Sequence, residues 1–404
     1  MATSTATDSS ATLAQIANPA RPYQWQWQGF RIGYQQMGEA GPAVLLVHGF
    51  GASWRHWRKN IPFLAQSCRV FAIDLLGFGS SDKPDPASPG YRFETWSQQL
   101  QDFTKEVIGE PAFVVGNSIG CVVALQLAVD APDQVRGLWL LNCSLRLLHD
   151  RRRATQPWFK RMGTPILQQV LQRKAIGHWF FNQLARPKTV KNILQQAYYN
   201  TDAVTDELVD ILMEPAGDAG AADVFLAFTG YSQGPLPEDL LEILSDRHRQ
   251  SLEHQTPEHP TPETPCPVAI LWGAEDPWEP IELGQKFEDY ACVDKFIALE
   301  KAGHCPQDEV PDKVNYNLRD WILWKAKELP PAADVAVGDR VMIQVDRPDG
   351  DRLWNGRRGT VVQVGKRAVT VVLDEDSETL SGGTHHHFYR EDIYSCPEPL
   401  ELVT

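Results

Sequence analysis

The sequence has little positive charge and begins without an apolar segment. Its 404 residues include 38 lysines and arginines against 52 aspartates and glutamates, a formal charge of −14. General nucleic-acid binding rests on neutralising phosphates with basic side chains, so this balance argues against a nucleic-acid partner. Residues 1–20 are small and polar. They predict a disordered N-terminus and do not have the apolar core of a secretory signal.

The sequence also lacks clustered cysteines. A disulfide scaffold shows an even number of cysteines at close spacing. Here the seven cysteines are scattered and mostly lie in apolar stretches: Cys68, Cys121, Cys143, Cys266, Cys292, Cys305 and Cys396. This distribution favours a reducing compartment, and we expect a cytoplasmic protein.

One uncharged run, residues 111–129, is about long enough to cross a bilayer. It contains two glycines, an asparagine, a serine and a glutamine. A buried strand that turns into a buried helix explains these polar residues better than a membrane span does. An apolar content of 43% is ample for such a core.

Short apolar runs alternate with stretches of helical length. After a hairpin-like segment at 23–36, the runs are residues 43–47, 70–73, 113–115, 138–141, 268–272 and 296–299. This alternation predicts an α/β fold, a parallel sheet covered by helices on both faces. The alternation of apolar runs and helical stretches stops near residue 145 and resumes at 268. We therefore assign residues 21–145 and 266–328 to one core.

The segments outside this core differ from it in composition, which predicts a separate role for each. Residues 146–250 carry spaced apolar residues and predict a helical cap inserted between strands, and the proline-rich residues 251–265 lead back to the core. Residues 329–334 form a linker. Beyond it, residues 335–397 are β-rich and punctuated by glycines, which predicts a small all-β, SH3-like barrel with an unknown partner.

The strongest local motif is Gly116-Asn117-Ser118-Ile119-Gly120, between an apolar strand pattern and a helical pattern. It matches G-x-S-x-G, the turn that presents the nucleophilic serine of the α/β-hydrolase fold above its sheet. The glycines allow close backbone approach at a sharp turn, and the N-terminus of the following helix favours negative charge. We predict Ser118 as the nucleophile. A tight structural turn without chemistry is the alternative.

A serine hydroxyl needs a base to accept its proton and an acid to orient that base. In this fold they follow in the order serine, acid, histidine. His304 comes after the last apolar run, and among eleven histidines it alone has this order and position. Asp276, just after the preceding run, is the predicted acid. Three nearby carboxylates are alternatives: Asp246, Glu275 and Asp308.

The tetrahedral intermediate of ester hydrolysis needs two donors for its oxyanion. The first predicted donor is the backbone N–H of Ile119, directly after the nucleophile. The second is the N–H of Phe50, in the glycine-rich turn after residues 43–47. The adjacent His385, His386 and His387 would point to alternate faces of a strand and cannot share one ion.

Four motifs together resemble one group of hydrolases. They are His48-Gly49-Phe50-Gly51-Ala52-Ser53, Asp74-Leu75-Leu76-Gly77-Phe78-Gly79, the Ser118 motif and Gly303-His304-Cys305-Pro306-Gln307-Asp308. Over about residues 22–328 the chain resembles the chlorophyll dephytylase and pheophytinase group of α/β-hydrolases from photosynthetic organisms. The resemblance implies hydrolysis of the ester that joins a phytyl chain to a chlorophyll-type pigment. It implies Ser118, Asp276 and His304 as the catalytic residues, without a cofactor.

The predicted cap is rich in aromatic residues. Seven are candidates for an apolar channel that holds a prenyl tail: Trp158, Phe159, Trp179, Phe180, Phe181, Phe225 and Phe228. Packing of the cap on the sheet needs the same kind of surface, so it is the alternative role.

Basic residues lie beside the apolar residues of the cap: Arg151, Arg152, Arg153, Lys160, Arg161, Arg173 and Lys174. A surface of this kind can dock on anionic lipid, which would place the protein at the periphery of a photosynthetic membrane. A solvated helix face explains the same residues and is the alternative.

Other activities of the fold stay open. Acyl transfer and perhydrolysis share the acyl-enzyme and differ in the nucleophile that resolves it. A non-catalytic protein that uses the fold for binding is a further alternative. Haloalkane dehalogenases and epoxide hydrolases use a carboxylate nucleophile, and Ser118 argues against that route.

Overall fold

The computed structural model describes residues 22–147, 149–153, 173–253, 266–326, 340–343, 358–364, 368–373, 385–389 and 393–395. The chain divides into two units, residues 1–314 and 315–404. The expectations for residues 1–20, for most of 251–265 and for the linker 329–334 concern chain outside the described residues.

The first unit is built on an eight-stranded sheet. Its strands are β1 (Tyr23–Trp27), β2 (Phe30–Met37), β3 (Ala43–Val47), β4 (Arg69–Ile73), β5 (Ala112–Asn117), β6 (Val135–Leu141), β7 (Val268–Gly273) and β8 (Val293–Leu299). Their order is β1-β2-β4-β3-β5-β6-β7-β8. β1 and β2 form a hairpin, β2 pairs antiparallel with β4, and the remaining pairs are parallel. The predicted α/β fold with a mostly parallel sheet is confirmed.

Helices fill the intervals between the strands. They are α1 (Ile61–Leu64), α2 (Phe93–Phe103), α3 (Ile119–Asp130), α4 (Asp150–Arg153), α5 (Lys174–Leu184), α6 (Pro187–Ala197), α7 (Asp206–Ala216), α8 (Ala221–Thr229), α9 (Pro237–Glu253), α10 (Ile281–Gly284), α11 (Pro306–Glu309) and α12 (Pro311–Lys325). Four short 3-10 turns add to these: Trp54–Trp57, Pro132–Gln134, Thr201–Ala203 and Gln285–Asp289. A π turn at Thr104–Ile108 extends α2.

The middle of the sheet is apolar because both of its faces are covered. Every residue of β3 and of β5 is buried, as parallel strands between helices require. α3 packs against β5, α2 and α9. The uncharged run 111–129 is therefore a core strand followed by a core helix. No helix in the described part of the chain has the length and apolar character needed to cross a membrane.

Between β6 and β7 the described chain is helical, from α4 to α9. We call residues 146–250 the helical insertion. Aromatic packing joins it to the core, since the Phe228 ring stacks on that of Phe50 with centroids 5.0 Å apart. At its start, the Arg146 guanidinium lies 4.7 Å from the Phe93 ring centroid. A cap function for this insertion stays a prediction.

The described strands of the second unit form one antiparallel sheet. They are β9 (Arg340–Ile343), β10 (Arg358–Val364), β11 (Ala368–Leu373), β12 (His385–Tyr389) and β13 (Ile393–Ser395), in the order β12-β11-β10-β9-β13. The sequence pattern does not predict β13. The three adjacent histidines belong to β12, an edge strand. Closure of this sheet into an SH3-like barrel stays a prediction.

Candidate active site

Ser118 occupies a strained turn between β5 and α3. Its φ of 55° and ψ of −120° lie outside the regions that residues with a side chain prefer. A Cβ on Gly116 would lie 2.5 Å from the backbone of Gly120, and one on Gly120 would lie 2.4 Å from the carbonyl oxygen of Val47. Close packing of α3 on the sheet therefore requires both glycines. Ser118 itself stays partly exposed.

His304 and Asp276 form a buried pair. His304 Nδ1 lies 2.7 Å from Asp276 Oδ2, and the residues are 5% and 6% exposed. Burial raises the pKa of Asp276, but hydrogen bonds from His304, Asn142 and Glu279, with the charge of His304, outweigh it and hold the pKa below its usual value. The carboxylate is thus ionised at neutral pH and accepts the Nδ1 proton. Nε2 is left as a proton acceptor.

Four donors hold the Asp276 carboxylate in place. Besides the imidazole, Asn142 Nδ2 donates to Oδ2 at 2.7 Å. The backbone N–H groups of Trp278 and Glu279 donate to Oδ1 at 2.8 and 3.1 Å. Asn142 is held in turn, because the Gly273 N–H donates to its Oδ1 at 3.0 Å. Partners of this kind fix the orientation of a catalytic carboxylate.

The Ser118 turn and the His304 loop lie side by side. Asn117 Nδ2 donates to the carbonyl oxygen of His304 at 3.2 Å and to that of Leu141 at 3.1 Å. The Ser118 N–H donates to the same Leu141 oxygen at 3.0 Å. Asp276 follows β7, between these elements. The Ser118 turn, the Asp276 turn and the His304 loop therefore adjoin at the carboxyl edge of the sheet. That the Ser118 hydroxyl reaches His304 Nε2 stays a prediction.

The loop after β3 passes next to Ser118, since a Cβ on Gly49 would lie 3.3 Å from Ser118 Cβ. His48 holds this loop: its Nδ1 donates to the Gly49 carbonyl at 2.7 Å, and its Nε2 accepts a backbone N–H at 3.1 Å. Burial lowers the pKa of His48 to about 4, so the ring is neutral and structural. Phe50 lies in this loop and Ile119 begins α3; their role as oxyanion donors stays a prediction.

The helical insertion is attached to the His304 loop. The His304 N–H donates to the carbonyl oxygen of Ala197 at 2.8 Å. The Glu309 carboxylate accepts the N–H of Gly303 at 2.8 Å and that of Asn200 at 2.5 Å. A Cβ on Gly303 would lie 2.2 Å from the Ala197 oxygen. The position of His304 therefore depends on the insertion as well as on β8.

Two of the predicted pocket residues line an apolar cavity. Phe181 of α5 and Phe225 of α8 face Phe50 and Phe78 of the core around a volume of about 70 Å³. Their rings lie 5.4 Å apart. This cavity adjoins the loop that passes Ser118.

The other predicted pocket residues lie elsewhere. The Phe228 ring packs between Phe50 and Trp96, so it joins the insertion to the core. Trp179 is 63% exposed and Phe180 is partly exposed. Trp158 and Phe159 lie outside the described residues.

The sequence pattern does not identify Trp278 as part of the site. Its ring centroid lies 5.0 Å from that of His304, with the planes inclined by 55°. Trp278 is also 41% exposed, so its indole both contacts the imidazole and faces solvent. The sequence feature that could have pointed to Trp278 is its position, an aromatic residue two places after the predicted acid.

The alternative acids are engaged elsewhere. Asp308 pairs with Arg58 at 2.8 Å. Asp246 pairs with Arg249 at 2.6 Å. Glu275 accepts a backbone N–H at 3.1 Å. In the described chain, His304 Nδ1 is bonded to Asp276 and to none of these.

A metal site is not apparent in the parts of the chain that the structure describes. There, no three His, Cys, Asp or Glu side chains come together as metal ligands would.

The model of the alpha/beta hydrolase family matches residues 44–315, and the chain belongs to this family. Among its relatives is the chloroplastic pheophytinase of Arabidopsis thaliana, 29% identical over 72% of this chain and 64% of that protein. The chain thus spans less than two thirds of that relative. Bifunctional epoxide hydrolase 2 of Sus scrofa is 37% identical over 28% of this chain and 20% of that protein.

Solved structures share the fold. The crystal structure of Cfl2 from Burkholderia cenocepacia is 21% identical and superposes with a TM-score of 0.57, covering 76% of this chain and 98% of Cfl2. The likeness is one of fold alone. With the family match, it establishes the α/β-hydrolase fold and supports a hydrolase.

Proposed function

We propose that the chain is a serine hydrolase that cleaves a carboxylic ester through an acyl-enzyme. The observation that supports this most is the 2.7 Å bond between Asp276 and His304, on the loop that lies beside Ser118. In the first step Ser118 Oγ attacks the ester carbonyl carbon while His304 Nε2 takes the hydroxyl proton. The Asp276 carboxylate stabilises the imidazolium that forms.

The later steps restore the free enzyme, with the alcohol taking the original serine proton and water supplying its replacement. The N–H groups of Phe50 and Ile119 stabilise the oxyanion of the tetrahedral intermediate. Its collapse breaks the bond to the alcohol oxygen, which takes the imidazolium proton. Water then attacks the acyl carbon and gives a proton to His304. The second intermediate releases the acid as Ser118 regains that proton.

A hydrophobic ester, such as the phytyl ester of a chlorophyll-type pigment, is the proposed substrate. The similarity to pheophytinase and the aromatic cavity support this class. The cavity of about 70 Å³ is much smaller than the roughly 300–1,000 Å³ of most ligand sites. Binding such a substrate in this cavity would therefore require the insertion to move. Exposed ion pairs such as Arg55–Glu214 would oppose such a movement weakly, at about 0.2–1 kcal/mol each. The bond from the His304 N–H to the Ala197 oxygen restricts it to parts of the insertion that do not hold the His304 loop.

Replacement of Ser118 tests the mechanism. Ser118→Ala should lose roughly four to six orders of magnitude in turnover on any accepted ester. Unchanged hydrolysis in this variant would disprove serine catalysis. A screen that pairs short aryl esters with phytylated pigments tests the substrate class, since a preference for the short esters would remove the pigment assignment and leave the mechanism intact.

Product analysis separates the alternatives on the same triad. Supplying water, alcohols and hydrogen peroxide shows which nucleophile resolves the acyl-enzyme, and so distinguishes hydrolase, acyltransferase and perhydrolase. Epoxides should remain intact, because Ser118 stands where a carboxylate nucleophile would be needed. A purely binding protein would turn over none of these substrates.

Membrane contact through the insertion is a separate proposal. α5 exposes Ile176 and Trp179, by 38% and 63%. The side chain of Lys174 is 75% exposed beside them, 3.6 Å from Asp223. Apolar and basic residues together favour docking on anionic lipid. Co-sedimentation with anionic liposomes at low salt should detect binding that Trp179→Ala weakens, and failure of the wild type to co-sediment would refute it.

A further inference from the structure

Glu279 is a second buried carboxyl beside the Asp276–His304 pair. It is 8% exposed and lies on the same turn as Asp276, to which its N–H donates at 3.1 Å. Its carbonyl oxygen accepts the indole N–H of Trp272 at 2.9 Å, which fixes the backbone. The steps of ester hydrolysis above leave the carboxyl of Glu279 without a role.

The carboxyl of Glu279 has few hydrogen bonds, and their donors are neutral. Its Oε1 accepts the hydroxyl of Ser144 at 3.1 Å, and the backbone N–H of Leu145 also favours the ionised carboxyl. Its Oε2 makes no hydrogen bond within the described residues. A buried carboxyl with such weak support holds its proton to a higher pH than an exposed one. Burial accordingly raises the pKa of Glu279 to about 7.

Titratable groups face Glu279 from several elements. Asp276 on its own turn raises its pKa, and His304 in the loop after β8 lowers it. Cys143 follows β6, and burial holds the pKa of this thiol well above its usual value, so it stays neutral. Glu238 of α9 acts on Cys143 and is itself ion-paired. The imidazole is therefore the neighbour whose charge changes during catalysis.

We propose that Glu279 is a positioning residue whose charge sets how readily His304 takes the proton of Ser118. The inference rests on the proposed function. An ionised Glu279 adds a second negative charge that stabilises the imidazolium, and a protonated one does not. By linkage, each group stabilises the charged form of the other. Turnover is thus highest where Glu279 is ionised and the resting imidazole is neutral.

The pH dependence of kcat/KM for an accepted ester tests this proposal. In Glu279→Gln the acid limb should move to lower pH by about 0.5–1 unit and the plateau should fall roughly three- to tenfold, since one stabilising charge is gone. The ratio of variant to wild type is then higher at low pH than at high pH. Glu282→Gln is the matched control, because it makes the same change at an exposed position of α10 and should not move the limb.

A purely structural role predicts another result, the same loss of kcat/KM at every pH, and that result would overturn the proposal. Carboxyl-carbon NMR is a readout that needs no turnover. The Glu279 carbon, assigned with Glu279→Gln, should titrate near pH 7, and at higher pH in Ser144→Ala, which removes a donor to Oε1. Titration below pH 5 also overturns the proposal.

The two proposals can fail separately. An active Ser118→Ala removes the proposed function whatever Glu279 does. An inactive Ser118→Ala combined with parallel pH profiles for Glu279→Gln and wild type removes only the role of Glu279. Where Glu279→Gln folds poorly, the carboxyl carbon whose titration moves between wild type and Ser144→Ala identifies Glu279, so the measurement still reports its protonation in folded protein.

Discussion

Asn142→Asp isolates the hydrogen bond that Asn142 donates to Asp276. The two residue types have nearly the same shape, and both tolerate the φ of 44° found at this position. The substitution keeps an acceptor for the Gly273 N–H at 3.0 Å. It replaces the Nδ2 donor, 2.7 Å from Asp276 Oδ2, with a carboxylate oxygen. Two carboxylates then face each other at a residue with no exposed surface.

The loss of stability should depend on pH. In the wild type the pKa of Asp276 is lowered. The ionised carboxylate therefore adds stability to the folded protein above the unfolded pKa of about 3.9, and this stability is lost as pH falls through the pKa of the folded state. In the variant each of the two facing carboxylates raises the pKa of the other. The stability that the pair adds to the folded protein is therefore present at low pH and lost as pH rises. A charge-assisted hydrogen bond contributes about 1.5–3 kcal/mol. We expect a destabilisation of about 2–4 kcal/mol at pH 8 and roughly half of that at pH 5.

Urea unfolding followed by tryptophan fluorescence at both pH values measures this difference. Asn192→Asp makes the same change at an exposed position of α6 and should leave the free energy of unfolding within about 0.5 kcal/mol of wild type. An Asn142→Asp variant that loses the same free energy at pH 5 and pH 8, or loses none, refutes the role of Asn142 as the donor that holds Asp276.

Two further substitutions probe the surroundings of His304. Trp278→Ala removes the indole 5.0 Å from the imidazole, so the ring is less well oriented; steady-state kinetics should show a roughly tenfold lower kcat. An unchanged kcat would mean that the indole does not orient the ring. Gly303→Ala places a Cβ 2.2 Å from the Ala197 oxygen, and urea unfolding should show a loss of about 1–3 kcal/mol. In the control Gly217→Ala, the added Cβ would lie 3.6 Å from its nearest atom. Equal stability of the two variants would contradict the steric explanation.

The positions of the central strands follow from local composition. Residues 43–47 match β3, and 113–115 lie within β5. The apolar runs locate these strands because a strand covered on both faces has to be apolar along its whole length. Strand β13, with three residues, is too short to carry such a pattern. The residues that line the pocket do not follow from composition, because an aromatic residue suits a channel and a packing interface equally. Phe225 lines the cavity, whereas Phe228 joins the insertion to the core.

The sequence by itself determined the turn that carries Ser118, because two glycines, a preceding strand and a following helix are local features that permit one sharp geometry. It also determined the chain order of Ser118, Asp276 and His304. Only the tertiary structure distinguished Asp276 from its neighbouring carboxylates as the partner of His304, and only the tertiary structure brought Asn142 to Asp276. The Asn142–Asp276 bond joins residues 134 positions apart. Contacts of that kind depend on how the loops converge at the edge of the folded sheet, which no local pattern encodes.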